Sequence, residues 1–490
     1  MKICLIYPPT EHMIKTNVPS VVDEVTGFYP PLGLLYVAGA VEASERHEVS
    51  VIDCVAEGLT DDALDARIRS EAPEVVGIQA ITFSIIDACD VARAVKKLDR
   101  AIPVVMGGPH ANLFPEETLS LPEVDFVLLG EGESNIVLFL DGVGGKSDRS
   151  DRSDRSDMSE LSDVPGIAFR DAEGQTVFGP PNPLIENMDS LPMPSRQLLD
   201  QGRYSSVLAR GKLMTTVMSS RGCPARCIFC DRPHLGKTFR ARSAANVADE
   251  LQMCAEEYGI DEFFFYDDTF TIDRKRVLEI CAAVRERKIK VYWDIRARVA
   301  TLDREVLEAL GAAGCVRIHI GIESGNEKIL KTMRKGVDLG KARQVFSWCR
   351  ELGIETLAYF MFGFPGEGHE EVRDTIDYAL SIDCDYVHAA ATTPFPGTEL
   401  YRLGLETGLY ENDYWREFAR NPTPGFLPGL WTERLTREEI VGYMFELYRR
   451  FYRRPSYVLR RLMKVRSPRQ FIRYARAGMR ILGAEGRQNN

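Results

Sequence analysis

The chain has 490 residues, 44% of them hydrophobic and 27% charged, and a net charge of −11. That length allows two or three domains with their own cores, and the composition excludes disordered, collagen-like and disulfide-scaffold classes. No apolar run reaches the roughly 18 residues that a spanning helix needs. The opening MKICLIYPPT reads as a strand rather than a secretion signal. A cytoplasmic location is expected, with the eleven cysteines as thiols or metal ligands.

Residues 1–141 alternate apolar runs with helical patterns. Strands are expected at 2–9, 48–53, 75–80, 103–108 and 125–133, with helices near 33–44, 60–71 and 84–98. Continuous Val/Ile/Leu strands separated by helices predict a doubly wound parallel sheet covered on both faces. Ligands of such sheets bind at the carboxyl ends of the strands. Here those ends are Pro8–Pro9, Asp53, the Thr82–Ser84 region, GGPH (107–110) and GEGE (130–133).

Residues 142–163 carry a three-residue SDR repeat and are expected to form a flexible linker. The GGKS at its head is not a phosphate loop, because Leu140 stands where that motif needs Gly. A Pro-rich connector follows over 164–212. Residues 213–405 then repeat a strand–helix rhythm six times, with strands expected at 213–220, 262–268, 291–298, 316–323, 356–365 and 386–396. This predicts a partial (β/α)6 barrel with its chemistry at the strand C-terminal ends. Residues 406–490 read as a helical extension, with helices over 436–483. From Trp431 onward the chain carries a net +10 against −21 for the rest.

The first barrel strand leads into SSRGCPARCIFC, where Cys223, Cys227 and Cys230 form a CxxxCxxC set. Structural zinc sites use four ligands, commonly in two pairs, and no second pair exists. Cys254, Cys281, Cys315, Cys349 and Cys384 are singletons in apolar patterns and read as core residues. Thiolates are the usual ligands of iron–sulfur clusters, so a four-iron cluster with one iron open is the better fit.

CxxxCxxC, with Phe229 before its last cysteine and after the first strand of a (β/α) pattern, resembles the radical S-adenosylmethionine (SAM) superfamily. The resemblance implies that SAM chelates the open iron and is cleaved to a 5′-deoxyadenosyl radical. It places Phe229 near the adenine, Asp267 and Asp268 of YDDTF near the SAM amino group, and Glu323 on the ribose. The usual glycine pair is replaced in YDDTF. Arg298 is either a partner of the SAM carboxylate or a member of a surface ion pair.

IDCVAEGL (52–59), VGIQAITFSI (76–85), VVMGGPHANLFPEET (104–118) and FVLLGEGE (126–133) resemble the cobalamin-binding radical SAM group. The resemblance covers about residues 1–405 and implies a cobalamin site at Asp53, Glu57, Thr82, Ser84, Gly107, Gly108, His110, Gly130 and Glu131. Small residues at 107, 108 and 130 suit close approach of a corrin. The DxHxxG cobalt-ligand loop of other cobalamin proteins is matched by Asp53-Cys54-Val55-Ala56-Glu57-Gly58, with Val55 in the ligand place. A histidine-off cobalamin follows. His110 is the one nearby substitute ligand, although a histidine after GGP more often serves structure.

The expected activity is that of a cobalamin-dependent radical SAM enzyme methylating an unactivated carbon of a hydrophobic substrate. The second reading is a non-methylating radical reaction, such as oxidative cyclisation or ring formation on a tetrapyrrole or lipid. The third is a cobalamin-dependent sensor or binding protein. An external electron donor such as flavodoxin or ferredoxin is implied. The basic apolar tail is expected either to touch the membrane periphery or to cap the barrel. Nucleic acid is not an expected partner, since the rest of the chain is acidic.

Overall fold

The computed structural model describes residues 1–14, 27–144, 159–231 and 236–463. The SDR repeat from 145 and the tail from 464 lie outside the described residues. Five N-terminal strands pair in parallel: β1 (Lys2–Tyr7), β2 (Glu48–Asp53), β3 (Val75–Gln79), β4 (Val104–Gly107) and β5 (Phe126–Leu128). Helices α1 (Leu32–Ala43), α2 (Cys54–Glu57), α3 (Asp61–Glu71), α4 (Ile85–Leu98), α5 (Pro109–Leu113), α6 (Pro115–Ser120) and α7 (Gly132–Gly144) connect them. Alternate residues feed two cores. Ile3, Leu5, Val75 and Val105 pack with Leu34, Leu35 and Phe139 on one face. Cys4, Ile6, Val76 and Met106 pack with Leu64, Ile68, Val91 and Val95 on the other. Burial of both faces is what suits these strands to a parallel sheet.

The strand order β2-β1-β3-β4-β5 reverses direction between β1 and β3, which opens a crevice at their carboxyl ends. The connector is more than a linker. Its segments β6 (Ile167–Arg170) and β7 (Thr176–Phe178) extend the same sheet antiparallel beyond β5. The DAEG turn between them, closed by Gly174 N–H on the Asp171 carbonyl at 3.1 Å, is the local signal that produces the hairpin.

The second sheet contains β8 (Met214–Val217), β11 (Glu262–Phe265), β12 (Tyr292–Ala297), β13 (Cys315–Glu323), β14 (Glu355–Phe362) and β15 (Tyr386–Ala391), paired in parallel in sequence order. A short antiparallel pair, β9 (Ser220–Arg221) and β10 (Arg240–Ala241), stands beside it. Helices α8 (Ala244–Glu257), α9 (Arg274–Glu286), α10 (Arg304–Ala312), α11 (Glu327–Thr332), α12 (Leu339–Glu351) and α13 (His369–Ser381) follow its strands. The outward residues Ile318, Ile320, Ala358, Phe360, Val387 and Ala389 join the helices in one large core. The partial barrel therefore keeps two sheet edges, at β8 and β15.

α14 (Glu399–Glu406) and α15 (Tyr414–Arg420) lead to α16 (Arg437–Tyr452) and α17 (Pro455–Met463). α16 covers the β15 edge. Tyr448 Oη bonds Ala389 N–H at 2.8 Å and its carbonyl at 3.2 Å, and Tyr452 Oη does the same for Val387 at 3.3 and 3.2 Å. Four residues along a helix rise about 6 Å, close to two residues along a strand, so two hydroxyls serve two rungs of an open edge. The arginines here are committed inward. Arg461 stacks on Tyr386 at 4.0 Å and reaches Glu355 at 3.3 Å, Arg454 donates to the Leu380 carbonyl at 2.7 Å, and Arg460 pairs with Asp383. The described part of the basic region thus closes the N-terminal end of the barrel.

Candidate functional site

The three-cysteine loop begins where β8 leaves the sheet. Gly222 takes φ +81°, a left-handed turn that favours glycine, and redirects the chain into Cys223. Cys223 and Cys227 are buried and Cys230 is exposed, with Cys230 N–H on the Cys227 carbonyl at 3.3 Å. Between the last two cysteines the loop is pinned on both sides. Ile228 N–H donates to the Met333 carbonyl at 3.2 Å, and Leu400 N–H donates to the Ile228 carbonyl at 2.9 Å. The five singleton cysteines are all buried in the core.

Asp267 does something other than what the resemblance assigned it. It is fully buried, and its carboxylate accepts from Ser219 N–H at 2.7 Å, Ser219 Oγ at 2.6 Å and Ser220 Oγ at 2.5 Å. Three donors occupy it, so it anchors the backbone just before the cysteines rather than facing an amino group. Asp268 is exposed beside it.

The other SAM candidates converge on a residue that motif reading missed, Lys335. Its Nζ pairs with Glu323 Oε1 at 2.7 Å with both side chains about nine-tenths buried, and lies 5.8 Å from the Phe229 ring centre. Its carbonyl accepts from Arg298 Nη2, whose Nη1 lies 3.5 Å from Cys227 Sγ. Among the described residues Arg298 makes no ion pair with a carboxylate; its guanidinium lies instead between the Lys335 carbonyl and the Cys227 sulfur. Glu323 sits at φ +71° in a bulge between β13 and β14. A bulge at a strand end re-aims one side chain, here into the loop region. Phe229 meets Phe364 edge-on at 6.1 Å, and Glu367 holds the Phe364 segment by accepting from Gly363 N–H at 2.6 Å and Phe364 N–H at 3.1 Å. Lys335 offered little in sequence: a lysine after α11 looks like any solvated helix end.

A cavity of about 210 Å³ opens at the β1/β3 crevice. Gly77, Gly107, Gly108, Gly130 and Glu131 of the first sheet line it, and Met218 and Arg221 close it from the barrel side. Glycine lets the backbone of this wall pack closely on its neighbours. A Cβ on Gly77 would lie 2.7 Å from Leu5, and one on Gly108, at φ +108°, 2.9 Å from the Ala80 carbonyl. Gln79 Oε1 is a buried acceptor on the same wall with no hydrogen-bond partner among the described residues. A large ligand rich in amide N–H groups fits such a wall, which is the chemistry of a corrin periphery.

The remaining cobalamin candidates are not brought to this cavity. Asp53 caps α2, accepting from Val55 N–H at 3.1 Å, Ala56 N–H at 2.9 Å and Tyr204 Oη at 2.9 Å. Glu57 lies 3.7 Å from Arg67, and Thr82 and Ser84 are buried in the short turn before α4. His110 is fully buried against Phe114 with Nδ1 3.1 Å from Thr82 Oγ1, and burial pushes its pKa down to about 3. His110 does not line the cavity.

Glu131 ties the two halves together. It accepts from Arg221 Nη1 at 2.6 Å, Arg240 Nη1 at 2.8 Å and Ile185 N–H at 2.7 Å, while Arg221 Nη2 reaches Glu133 at 2.5 Å. Burial pushes the Glu131 carboxyl up, but the two guanidiniums hold it below its ordinary range. Arg221 stands two residues before Cys223, so the crevice and the cysteine loop share one buried ion-pair network.

A family model described as the radical SAM superfamily matches residues 217–379, and one described as a B12 binding domain matches 19–140. An uncharacterized methyltransferase of Pyrococcus horikoshii is 34% identical over 94% of this chain and 94% of its own length. Cytidylyl-2-hydroxyethylphosphonate methyltransferase of Streptomyces wedmorensis is 29% identical over 82% of this chain and 83% of its own. The anaerobic magnesium-protoporphyrin IX monomethyl ester cyclase of Rubrivivax gelatinosus is 26% identical over 96% and 81%. Among solved structures, the cobalamin-dependent SAM radical enzyme OxsB superposes with TM-score 0.72 at 16% identity, over 98% of this chain and 71% of that one.

Proposed function

The chain belongs to the cobalamin-binding branch of the radical SAM superfamily, and we propose that it transfers a methyl group to a carbon of a small molecule bound in the barrel lumen. When bound, the [4Fe-4S] cluster with SAM supplies the radical that activates the carbon, and cobalamin supplies the methyl group.

The chain's own residues hold these groups against one another. Cys223, Cys227 and Cys230 are the cluster ligands in this reading, with Arg298 at Cys227. Phe229, Glu323 and Lys335 would position SAM, and Asp267 keeps the loop entry rigid. Gly107, Gly108, Gly130 and Gln79 would seat the corrin. The reading keeps the corrin histidine-off, with Val55 on α2 in the ligand place and His110 enclosed. Residues 1–141 with β6 and β7 would form the cobalamin half, and 213–405 the radical half. Electrons would come from an external flavodoxin or ferredoxin.

One observation carries the assignment: a single cavity is walled by the glycines of the first sheet and by Met218 and Arg221 of the segment entering the cysteine loop. The segment that enters the cysteine loop thereby borders the proposed corrin seat, which supports the close placement that radical methylation requires. No helix among the described residues is long and apolar enough to cross a membrane. A peripheral membrane contact would not use Arg454, Arg460 and Arg461, which the barrel end engages.

Anaerobic reconstitution with iron, sulfide and cobalamin, followed by SAM and candidate substrates, tests the proposal. Both S-adenosylhomocysteine and 5′-deoxyadenosine are expected. Deoxyadenosine without S-adenosylhomocysteine would turn the assignment to ring formation, as in the cyclases, and neither product from cluster-loaded protein would overturn it. Cys227→Ala should abolish both products while cobalamin stays bound.

A further inference from the structure

The barrel interior holds a group of charged and aromatic side chains that neither the cysteine loop nor the crevice uses. Asp294, Arg296, His319 and Tyr359 lie on alternate, inward positions of β12, β13 and β14, opposite the outward residues of the main core. His319 links two of them, with Nδ1 2.8 Å from Tyr359 Oη and Nε2 3.2 Å from Asp294 Oδ2. Arg317 also reaches Asp294 at 3.6 Å, so that carboxylate is occupied.

Arg296 differs. It is half-buried, its guanidinium rests 4.6 Å over the Tyr266 ring, and Nη1 donates to the Phe265 carbonyl at 3.2 Å. Among the described residues no carboxylate pairs with it. Tyr29, from the first half of the chain, closes this corner against Tyr266 at 5.7 Å. Burial outweighs Asp294 and lowers the His319 pKa, so beside Arg296 that ring holds its proton less readily than a free imidazole.

We propose that the lumen binds a substrate with an anionic head, a carboxylate or a phosphorus oxyanion, docked on Arg296 with its body against Tyr29, Tyr266 and Tyr359. An apolar lipid would desolvate the Arg296 guanidinium without giving it a counter-charge, a cost that an anion removes. The inference rests on the methyl-transfer reading above, because it assigns the substrate class of that same site. It also sets aside the hydrophobic substrate expected from the basic tail, whose described arginines serve the barrel end.

The test uses the full chain loaded with cluster and cobalamin, titrated by calorimetry with phenylphosphonate, benzoate and the uncharged benzamide. Both or either of the anions should saturate while benzamide does not, and preference between them tells a phosphorus oxyanion from a carboxylate. Arg296→Met should weaken the preferred anion about tenfold or more, with Arg296→Lys intermediate. Equal binding of benzamide, no saturation by either anion, or unchanged affinity in Arg296→Met would overturn the inference. Cobalamin and cluster absorption of the same samples report the parent reading separately: protein that carries both groups but fails the anion test sinks only the substrate class.

Discussion

Arg221 Nη1 donates to Glu131 Oε1 at 2.6 Å, joining the residue two before the first cluster cysteine to the strand-end loop of the first sheet. Both side chains are almost fully buried, and Arg240 completes the network. Removing the anion takes a shared buried counter-charge from Arg221 and Arg240, with Glu133 still facing Arg221. Breaking a buried pair in this way costs about 3–5 kcal/mol. Glu131→Gln keeps the shape and removes the charge, so it should lower the melting temperature and weaken cobalamin retention together. The check is a thermal melt paired with cobalamin retained after gel filtration; a variant that melts lower yet keeps cobalamin fully would uncouple the ion pair from the crevice.

Lys335 joins Glu323, Phe229 and Arg298, so it should control SAM binding without touching cobalamin. Lys335→Met leaves Glu323 buried without its counter-charge, and SAM affinity should fall about tenfold or more. Gly321→Ala should act in the same direction, because its Cβ would meet the Glu323 carboxylate and lie 2.6 Å from Lys335 Nζ. Equilibrium binding of SAM to cluster-loaded protein reads both effects. Wild-type SAM affinity in Lys335→Met would remove Lys335 from the site.

The parts legible in the sequence were those set by local periodicity and spacing. β2 falls on 48–53 as expected and β13 runs within one residue of its expected start, because Val/Ile runs bounded by turn residues encode strands directly. The runs ending in polar or glycine residues were read too long: β5 stops at Leu128, since Gly130 turns the chain into α7. β6 and β7 were hidden by the prolines around them. At the site, the cysteine triplet was legible because its chemistry lies within eight residues. Asp267 and Lys335 were not, because their roles depend on partners 48 and 12 residues away that only the folded chain supplies.

The helix covering β15 should matter for solubility as much as for stability. Tyr448→Phe and Tyr452→Phe each remove hydroxyl bonds to an edge strand, at about 1 kcal/mol apiece. The double variant exposes two rungs of unpaired backbone, a template for strand addition. Light scattering during a thermal ramp should show earlier aggregation in the double variant than in either single one. Wild-type scattering would mean that the apolar face of α16 alone protects the edge.

Glu367 should make stability fall with rising pH near neutrality. It is 1% exposed, and its carboxylate accepts from two backbone N–H groups while Oε1 has no partner among the described residues. Burial raises its pKa from 4.5 to about 7, with the two N–H bonds opposing only in part. Between those values the folded protein binds more protons than the unfolded chain. Stability is therefore lost as pH climbs from about 4.5 to about 7 and levels off above, by about 3 kcal/mol in all. Glu367→Gln keeps an acceptor for Gly363 and Phe364, supplies neutral N–H groups in place of the acid proton, and does not titrate. The difference in urea midpoint between variant and wild type should grow from pH 5 to pH 7 and then stay constant. A difference that is flat across this range would show that the carboxyl ionises without penalty, and that the loop carrying Phe364 is held in some other way.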